Sequence, residues 1–502
     1  MNHKEKDGVE KKARDGFFIV GLLSIIWFVA RTGRKPSRAS YPCQQAAQIN
    51  GNLWIATYLL PIFSNIPLKR IDLAEKRRLI GLVVILLTIV GGGIIWMNNN
   101  PGLVTVDSSV LDNGLTLTSS TAIDTPASDV FVVTKTIGAD NGVNTLIRLM
   151  GSKGLDLYQS ERNSETSSID GLIAPSDTVI IKVNCQWDER GGTNTDLLKA
   201  LIKSLLDHPD GFTGEIIVCD NGGGEDRGSL NLGGSFSYDN NNAIDTSQSI
   251  QAVVDGFSDD KVSTYLWSDI TDTRVPEYHD GDMNDGYIVE EEILPRTGLM
   301  VSYPKFTSEH GTHVSFKHGV WDENTKVYDS ESLKVINLSM LKSHLVYGVT
   351  ASIKNYMGVP SDVLTSEITG RNLHTHSTIG RGGMGALMVN TRFPVLNLID
   401  SIWINPVPLS GPSTRYRSAK QINVITASTD PVALDYWSSK YILSQNWVNR
   451  VGEVSPSMDP DKVDPGFFGS WLRLSMDEIL LAGIDVNVDE SHMNVFIAEN
   501  NG

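Results

Sequence analysis

Lysines on apolar ground are the residues of this sequence most suggestive of chemistry. The stretch Leu341–Val359, LKSHLVYGVTASIKNYMGV, is mostly small and apolar, yet it carries Lys342, His344, Lys354 and Asn355. Two earlier segments, VIIKVNC and EIIVCDNGGG, set Lys182 and Asn184, then Asp220 and Asn221, at the ends of β-branched runs. A single lysine in such company covers apolar surface with its stem and keeps its head in water. Three lysines with a histidine have another use, because an ammonium is a compact charge for phosphate or carboxylate. Lys182, Lys342 and Lys354, with Asn184 and Asn355, therefore form a candidate site for an anionic small molecule. His344 is the candidate acid or base, since an imidazole titrates near neutrality. Asp220 and Asp435 would orient these groups or hold a metal.

Other residues offer metal ligands. HTH places His374 and His376 on one face only if the segment is extended. With Asp400 they make a candidate divalent-metal set; exposed loop histidines, like His310, His313 and His318 of HGTHVSFKH, are the plainer alternative. DGDMNDGYIVEE sets Asp280, Asp282, Asn284 and Glu291 near the spacing of a calcium loop, but Gly286 falls one place late, so an ordinary acidic turn is expected. The three cysteines, Cys43, Cys185 and Cys219, form no CxxC. That pattern excludes an iron–sulfur cluster held by four local thiolates. Cys185 and Cys219 read as buried small residues rather than a disulfide.

The elements that must position these groups follow from periodicity. DVFVVTKT, DTVIIKVNC, GEIIVCDNGGG, LKVINLSMLKSH, PVLNLIDSIWI and QINVITAS read as strands. NGVNTLIRLMGSKGLDLY, TDLLKALIKSLLDH with Thr195 as N-cap, GVTASIKNYMG from Gly348 to Gly358, and DPVALDYWSSKYIL read as helices. In GVTASIKNYMG the buried face would be Val349, Ile353 and Met357. Alternation of strand and helix predicts an α/β fold, with a mostly parallel sheet and helices on both faces. In such a sheet ligands bind beyond the carboxyl ends of the strands, where the polar residues above collect. Residues 228–295, rich in Asn, Asp, Ser and Gly, read as a peripheral insertion in a domain spanning 129–502.

Charge divides the chain. Up to Met97 there are 14 Lys and Arg against 6 Asp and Glu; the remainder has 28 against 53. An acidic body argues against a nucleic-acid partner, which requires a cationic face. Residues 1–97 hold three apolar runs, Gly16–Ala30, Gly51–Ile66 and Leu79–Met97, of which the third is long enough to cross a bilayer. The second contains Pro61, so two or three transmembrane helices are expected. KRIDLAEKRR precedes the third run and no Lys or Arg follows it until Lys135, which puts the body outside the cytoplasm. RTGRKPSR, which follows the first run, runs against that orientation when all three runs span. Residues 98–128 read as a polar linker.

VIIKVN, IIVCDNGGG, VINLSMLKSHLVYGVTASIKNYMGV and ITASTDPVALDYWSSKYIL together resemble the domain-of-unknown-function 362 family. The resemblance runs from about Asp129 to Leu443, interrupted by the insertion, and the Lys-Asn and Asp-Pro segments are its most specific parts. Matching positions are Lys182, Asn184, Asp220, Lys342, His344, Lys354, Asn355, Asp430 and Asp435, while Val183 stands where the family usually has proline. It implies an α/β fold and no settled activity. Many members carry ferredoxin-like cysteine motifs; this chain lacks them, so no electron-transfer role is implied. Two functions fit the residues: an enzyme acting on a phosphate- or carboxylate-bearing small molecule, and an accessory protein holding a ligand or cofactor without turnover.

Overall fold

The computed structural model describes residues 128–223, 234–257, 260–447 and 453–501. Among them no helix is long and apolar enough to cross a membrane. The apolar runs before Met97 and nearly all of the linker lie outside the described residues.

The strands are β1 (Ser128–Thr134), the short pair β2 (Tyr158–Gln159) and β3 (Ser167–Ser168), β4 (Thr178–Lys182), β5 (Glu215–Asp220), β6 (Val262–Leu266), β7 (Gly286–Ile293), β8 (Met300–Thr307), β9 (His313–Ser315), β10 (Gly319–Asp322), β11 (Val327–Asp329), β12 (Leu333–His344), β13 (Gly348–Thr350), β14 (Leu396–Asn405), β15 (Lys420–Ser428) and β16 (Met493–Glu499). A nine-stranded sheet runs β16-β1-β15-β14-β12-β4-β5-β6, with β13 paired to β12. A five-stranded sheet runs β11-β10-β9-β8-β7.

The large sheet is mixed rather than mostly parallel. β14, β12, β4, β5 and β6 run parallel, as does β1 with β16. β15 is antiparallel to both β14 and β1, and β13 to β12. Connection length explains the difference. Residues 406–419 join β14 to β15 without a helix, and three residues join β12 to β13. Neither segment can carry the chain back across a face, so each strand returns antiparallel.

Both faces of this sheet are covered. On one lie α1 (Gly142–Gly151), α2 (Thr195–Leu206) and α3 (Ile250–Asp255), whose Leu146, Met150, Leu198, Leu201 and Val253 pack with Val179, Ile181, Val218 and Leu398. On the other lie α6 (Gly383–Asn390), α7 (Pro431–Ser438) and α8 (Phe468–Leu481), whose Met384, Val432 and Trp471 pack with Ile180, Ile217 and Ile399. Strand residues alternate between the two cores because successive side chains point to opposite faces. The cap of α2 is Asn194, whose side chain accepts from Leu197 N at 3.1 Å, one residue earlier than the sequence suggests.

Two further expectations change. The polar segment 228–295 is not wholly peripheral, since α3 and β6 complete a crossover and β6 is an edge strand of the large sheet. Its polar composition comes from the loops, and an edge strand needs little apolar surface. The single helix expected over Gly348–Gly358 is instead β13, a short turn of helix α4 (Ser352–Asn355) and a 3-10 turn at Tyr356–Gly358, with α5 (Asp362–Thr369) following. Gly348 has a φ of +77°, and a Cβ there would lie 1.8 Å from the Ser457 carbonyl oxygen, so only glycine fits. Val349, Ile353 and Met357 are all buried, though three different elements carry them.

Candidate functional site

β4 ends in Lys182 and its neighbour β5 ends in Asp220. Lys182 Nζ lies 2.7 Å from Asp220 Oδ1, and both side chains are buried. The same ammonium donates to the Asn355 carbonyl at 2.6 Å and the Val183 carbonyl at 2.9 Å. Asp220 Oδ2 accepts from Cys185 N at 2.8 Å. Gly358 roofs the pair: a Cβ there would sit 2.2 Å from Asp220 Oδ1 and 2.6 Å from Lys182 Nζ. Lys182 and Asp220 thus satisfy each other, as a buried ion pair must to offset its desolvation.

Asn355 joins this pair to the rest. Its Oδ1 accepts from Asn184 Nδ2 at 3.0 Å, and its Nδ2 donates to Asn337 Oδ1 at 2.8 Å. Asn337 donates in turn to Asn397 Oδ1 at 2.9 Å and Ser352 Oγ at 3.0 Å. Asn337, Asn397 and Ser352 were not among the candidates; asparagines inside the apolar runs VINLS and VLNLI were the available signal. Asp435 lies beneath the network rather than in it. Its two oxygens accept from Ser352 N at 2.7 Å and Ile353 N at 3.0 Å, fixing the start of α4 and so the segment bearing Lys354 and Asn355. Burial pushes its carboxyl up to about 8, against the pull of those two N–H groups. Asp430 caps α7 through Val432 N and Ala433 N.

Lys342 and His344 come from the end of β12. The register against β14 shifts between Met340 and Lys342, an irregularity of the kind that re-aims side chains. Lys342 Nζ donates to Asn184 Oδ1 at 3.1 Å and to the Gly191 carbonyl, both neutral acceptors. Burial, then the nearby Lys354 charge, lower its amine to about 7. His344 Nδ1 accepts from Val346 N at 3.1 Å and Tyr347 N at 3.3 Å, so a neutral ring carries its proton on Nε2. Burial and the Lys354 charge hold this imidazole well below its usual range. The group brought near neutrality is therefore Lys342, not the histidine that sequence reasoning favoured. Lys354 Nζ lies 5.2 Å from the centre of the Tyr347 ring, itself 5.1 Å from the His344 ring. Thr350, cross-strand from Lys342, is buried, and its hydroxyl has no hydrogen-bond partner among the described residues.

The metal candidates do not converge. His374 Nε2 accepts from Met300 N at 3.2 Å, and His376 Nδ1 lies 2.8 Å from Asp362 Oδ2. Asp400 accepts from Asn194 N at 3.0 Å, Asn242 Nδ2 at 3.2 Å and Ile402 N at 2.9 Å. Among the described residues no three His, Cys, Asp or Glu side chains form a metal-holding group. His376 instead borders the lysine site, its carbonyl accepting from Tyr347 OH at 3.1 Å. Beside the calcium-like loop Lys305 Nζ donates to the Asp282 carbonyl at 2.8 Å and the Pro276 carbonyl at 2.9 Å, and Glu291 pairs with Arg274. Cys185 and Cys219 are buried and are not joined in a disulfide. A surface cavity of about 320 Å³, lined by Asn141, Asn144, Arg148 and Tyr158, contains none of the candidate residues.

Neither a curated protein nor a solved structure matches the chain. A family model, domain of unknown function DUF362, matches residues 293–440. The match is narrower than the resemblance over Asp129–Leu443: Lys182, Asn184 and Asp220 fall before it, and Lys342, His344, Lys354, Asn355, Asp430 and Asp435 within it. The DUF362 family model thus matches the segment 293–440, which carries Lys342, His344 and Lys354.

Proposed function

We propose that this protein binds a small phosphate- or carboxylate-bearing molecule at Lys354, Lys342 and His344, with Lys182, Asp220, Asn184 and Asn355 as the framework. One observation carries the reading. Lys342 and Lys354 are both buried, the Lys354 charge depresses the Lys342 amine, and the acceptors of Lys342 among the described residues are neutral, whereas Lys182 has its own carboxylate. Buried like charges disfavour each other, and an anion between them relieves that cost. The neutral His344 would offer its Nε2–H and Thr350 its hydroxyl as further hydrogen-bond donors. In this reading Lys342 exchanges protons, Asp435 positions α4, and Asp220 holds Lys182. The test is thermal unfolding of the full chain in phosphate, acetate or glycolate against chloride at equal ionic strength. Stabilisation should appear in wild type and in Lys199→Met, an exposed control, and vanish in Lys354→Met. Equal unfolding temperatures in all salts would sink the reading.

The apolar runs and basic flanks before Met97 support a second part of the proposal, a domain anchored in a membrane with residues 129–502 outside the cytoplasm. A reporter fused after Asp129 should be active outside; cytoplasmic labelling of that fusion would reverse the orientation.

A further inference from the structure

We propose that Lys342 is a nucleophilic amine, and that the anion of this site carries an aldehyde or ketone with which Lys342 forms an imine. The inference rests on the anion-binding reading above and names the substrate class.

The two strand-end lysines differ in their hydrogen-bond inventories. Lys182 Nζ meets a carboxylate oxygen of Asp220, the carbonyls of Val183 and Asn355 and, at 3.2 Å, Asn355 Oδ1, so each of the three protons of an ammonium has an acceptor and one of them is charged. Among the described residues Lys342 Nζ meets two acceptors, Asn184 Oδ1 and the Gly191 carbonyl. Two N–H groups account for both, which is the inventory of a neutral amine and leaves its lone pair for a substrate. Burial and a neighbouring ammonium are the environment that activates a lysine as a nucleophile. Here the ammonium is that of Lys354 and the lowered amine that of Lys342. Burial, the larger cause, persists when an anion neutralises Lys354.

The surrounding groups fit the remaining steps. In an antiparallel pair, side chains directly opposite share a face, and opposite Lys342 stands Thr350 with its unpartnered hydroxyl. His344, two residues along β12, is on the same face as Lys342. Lys354 takes the substrate's carboxylate or phosphate. The Lys342 lone pair attacks the carbonyl carbon, a C–N bond forms, and the carbonyl oxygen becomes a hydroxyl by gaining a proton from the nitrogen. The resulting carbinolamine loses that hydroxyl with the second nitrogen proton as water, leaving C=N. No oxidant or reductant takes part. Thr350 and the His344 Nε2–H would hydrogen-bond the oxygen as charge develops on it.

The test treats the full chain with glyoxylate, an aldehyde-bearing carboxylate, and cyanoborohydride, and locates adducts by peptide mass spectrometry. One adduct per chain at Lys342 is expected, suppressed by glycolate, the alcohol counterpart that cannot form an imine. Lys354→Met should slow adduct formation by about tenfold or more, the scale of a lost charged hydrogen bond. Thr350→Val should slow it as well, and because the adduct is located on the wild-type chain the test stays informative if Lys342→Met does not fold. Stabilisation by glycolate with no adduct at Lys342, or with label spread evenly over exposed lysines, overturns the imine and leaves the anion site standing. Absence of both effects overturns the two together.

Discussion

Raising the pH from about 7 to about 9 should stabilise the wild-type chain relative to Lys342→Met. In the unfolded chain Lys342 regains its ordinary value of 10.5; in the fold its amine stands at about 7. Between those values the unfolded state binds more protons than the folded one, so stability rises with pH. The folded protein is penalised for holding the charged form at low pH, and the penalty fades as the amine deprotonates. Integrating a single group across that interval gives about 2 kcal/mol, at 1.36 kcal/mol per pH unit of full proton difference. Asp435 contributes with the opposite sign, because its carboxyl is raised to about 8 and its ionisation costs stability as pH increases. That contribution is common to wild type and variant and cancels in their difference. The assay is urea unfolding of both chains at several pH values in anion-poor buffer. A difference that is flat with pH, or that shrinks as pH rises, would refute a buried amine near neutrality.

Further outcomes concern the framework. Lys182→Met should destabilise the chain by roughly 3–5 kcal/mol, because Asp220 is left buried without its partner, and Lys182→Met with Asp220→Asn should recover part of that loss in the same urea titration. Gly358→Ala should cost about 1–3 kcal/mol, since its Cβ would press on both members of the pair at 2.2 and 2.6 Å; unchanged stability would show that the roof yields. Deleting residues 260–275 should abolish cooperative unfolding, because β6 pairs along β5; a cooperative, soluble product would return the whole insertion to the periphery.

Periodicity made the large elements legible. β1, β4, β5, β12, β14 and β15, and helices α1, α2 and α7, all lie, to within a residue, inside runs whose apolar spacing announces them. Strand direction was not legible, because it depends on whether a connection crosses a face, and the helix-free residues 406–419 looked like any other loop. Val349 misled for a different reason. Its spacing with Ile353 and Met357 mimics a helix, but pairing with β12 and the close approach of Ser457 to Gly348 override it. At the site, the types and positions of the three lysines were readable, but their roles were not. Which lysine has a carboxylate, and which has two neutral acceptors, depends on contacts between residues such as Lys182 and Asn355, 173 positions apart. The same limit applied to His344, whose imidazole burial holds well below the value it has in water.

The most direct test of the anion site is calorimetric titration of inorganic phosphate into the full chain, its Lys354→Met variant and its Lys199→Met control at pH 7. Wild type and Lys199→Met should bind one phosphate with the same affinity. Lys354→Met should bind more weakly by roughly 1.5–3 kcal/mol, the scale of a hydrogen bond to a charged group. No saturable heat in wild type, or equal affinity in all three proteins, would contradict the reading of Lys342, His344 and Lys354 as a binding site.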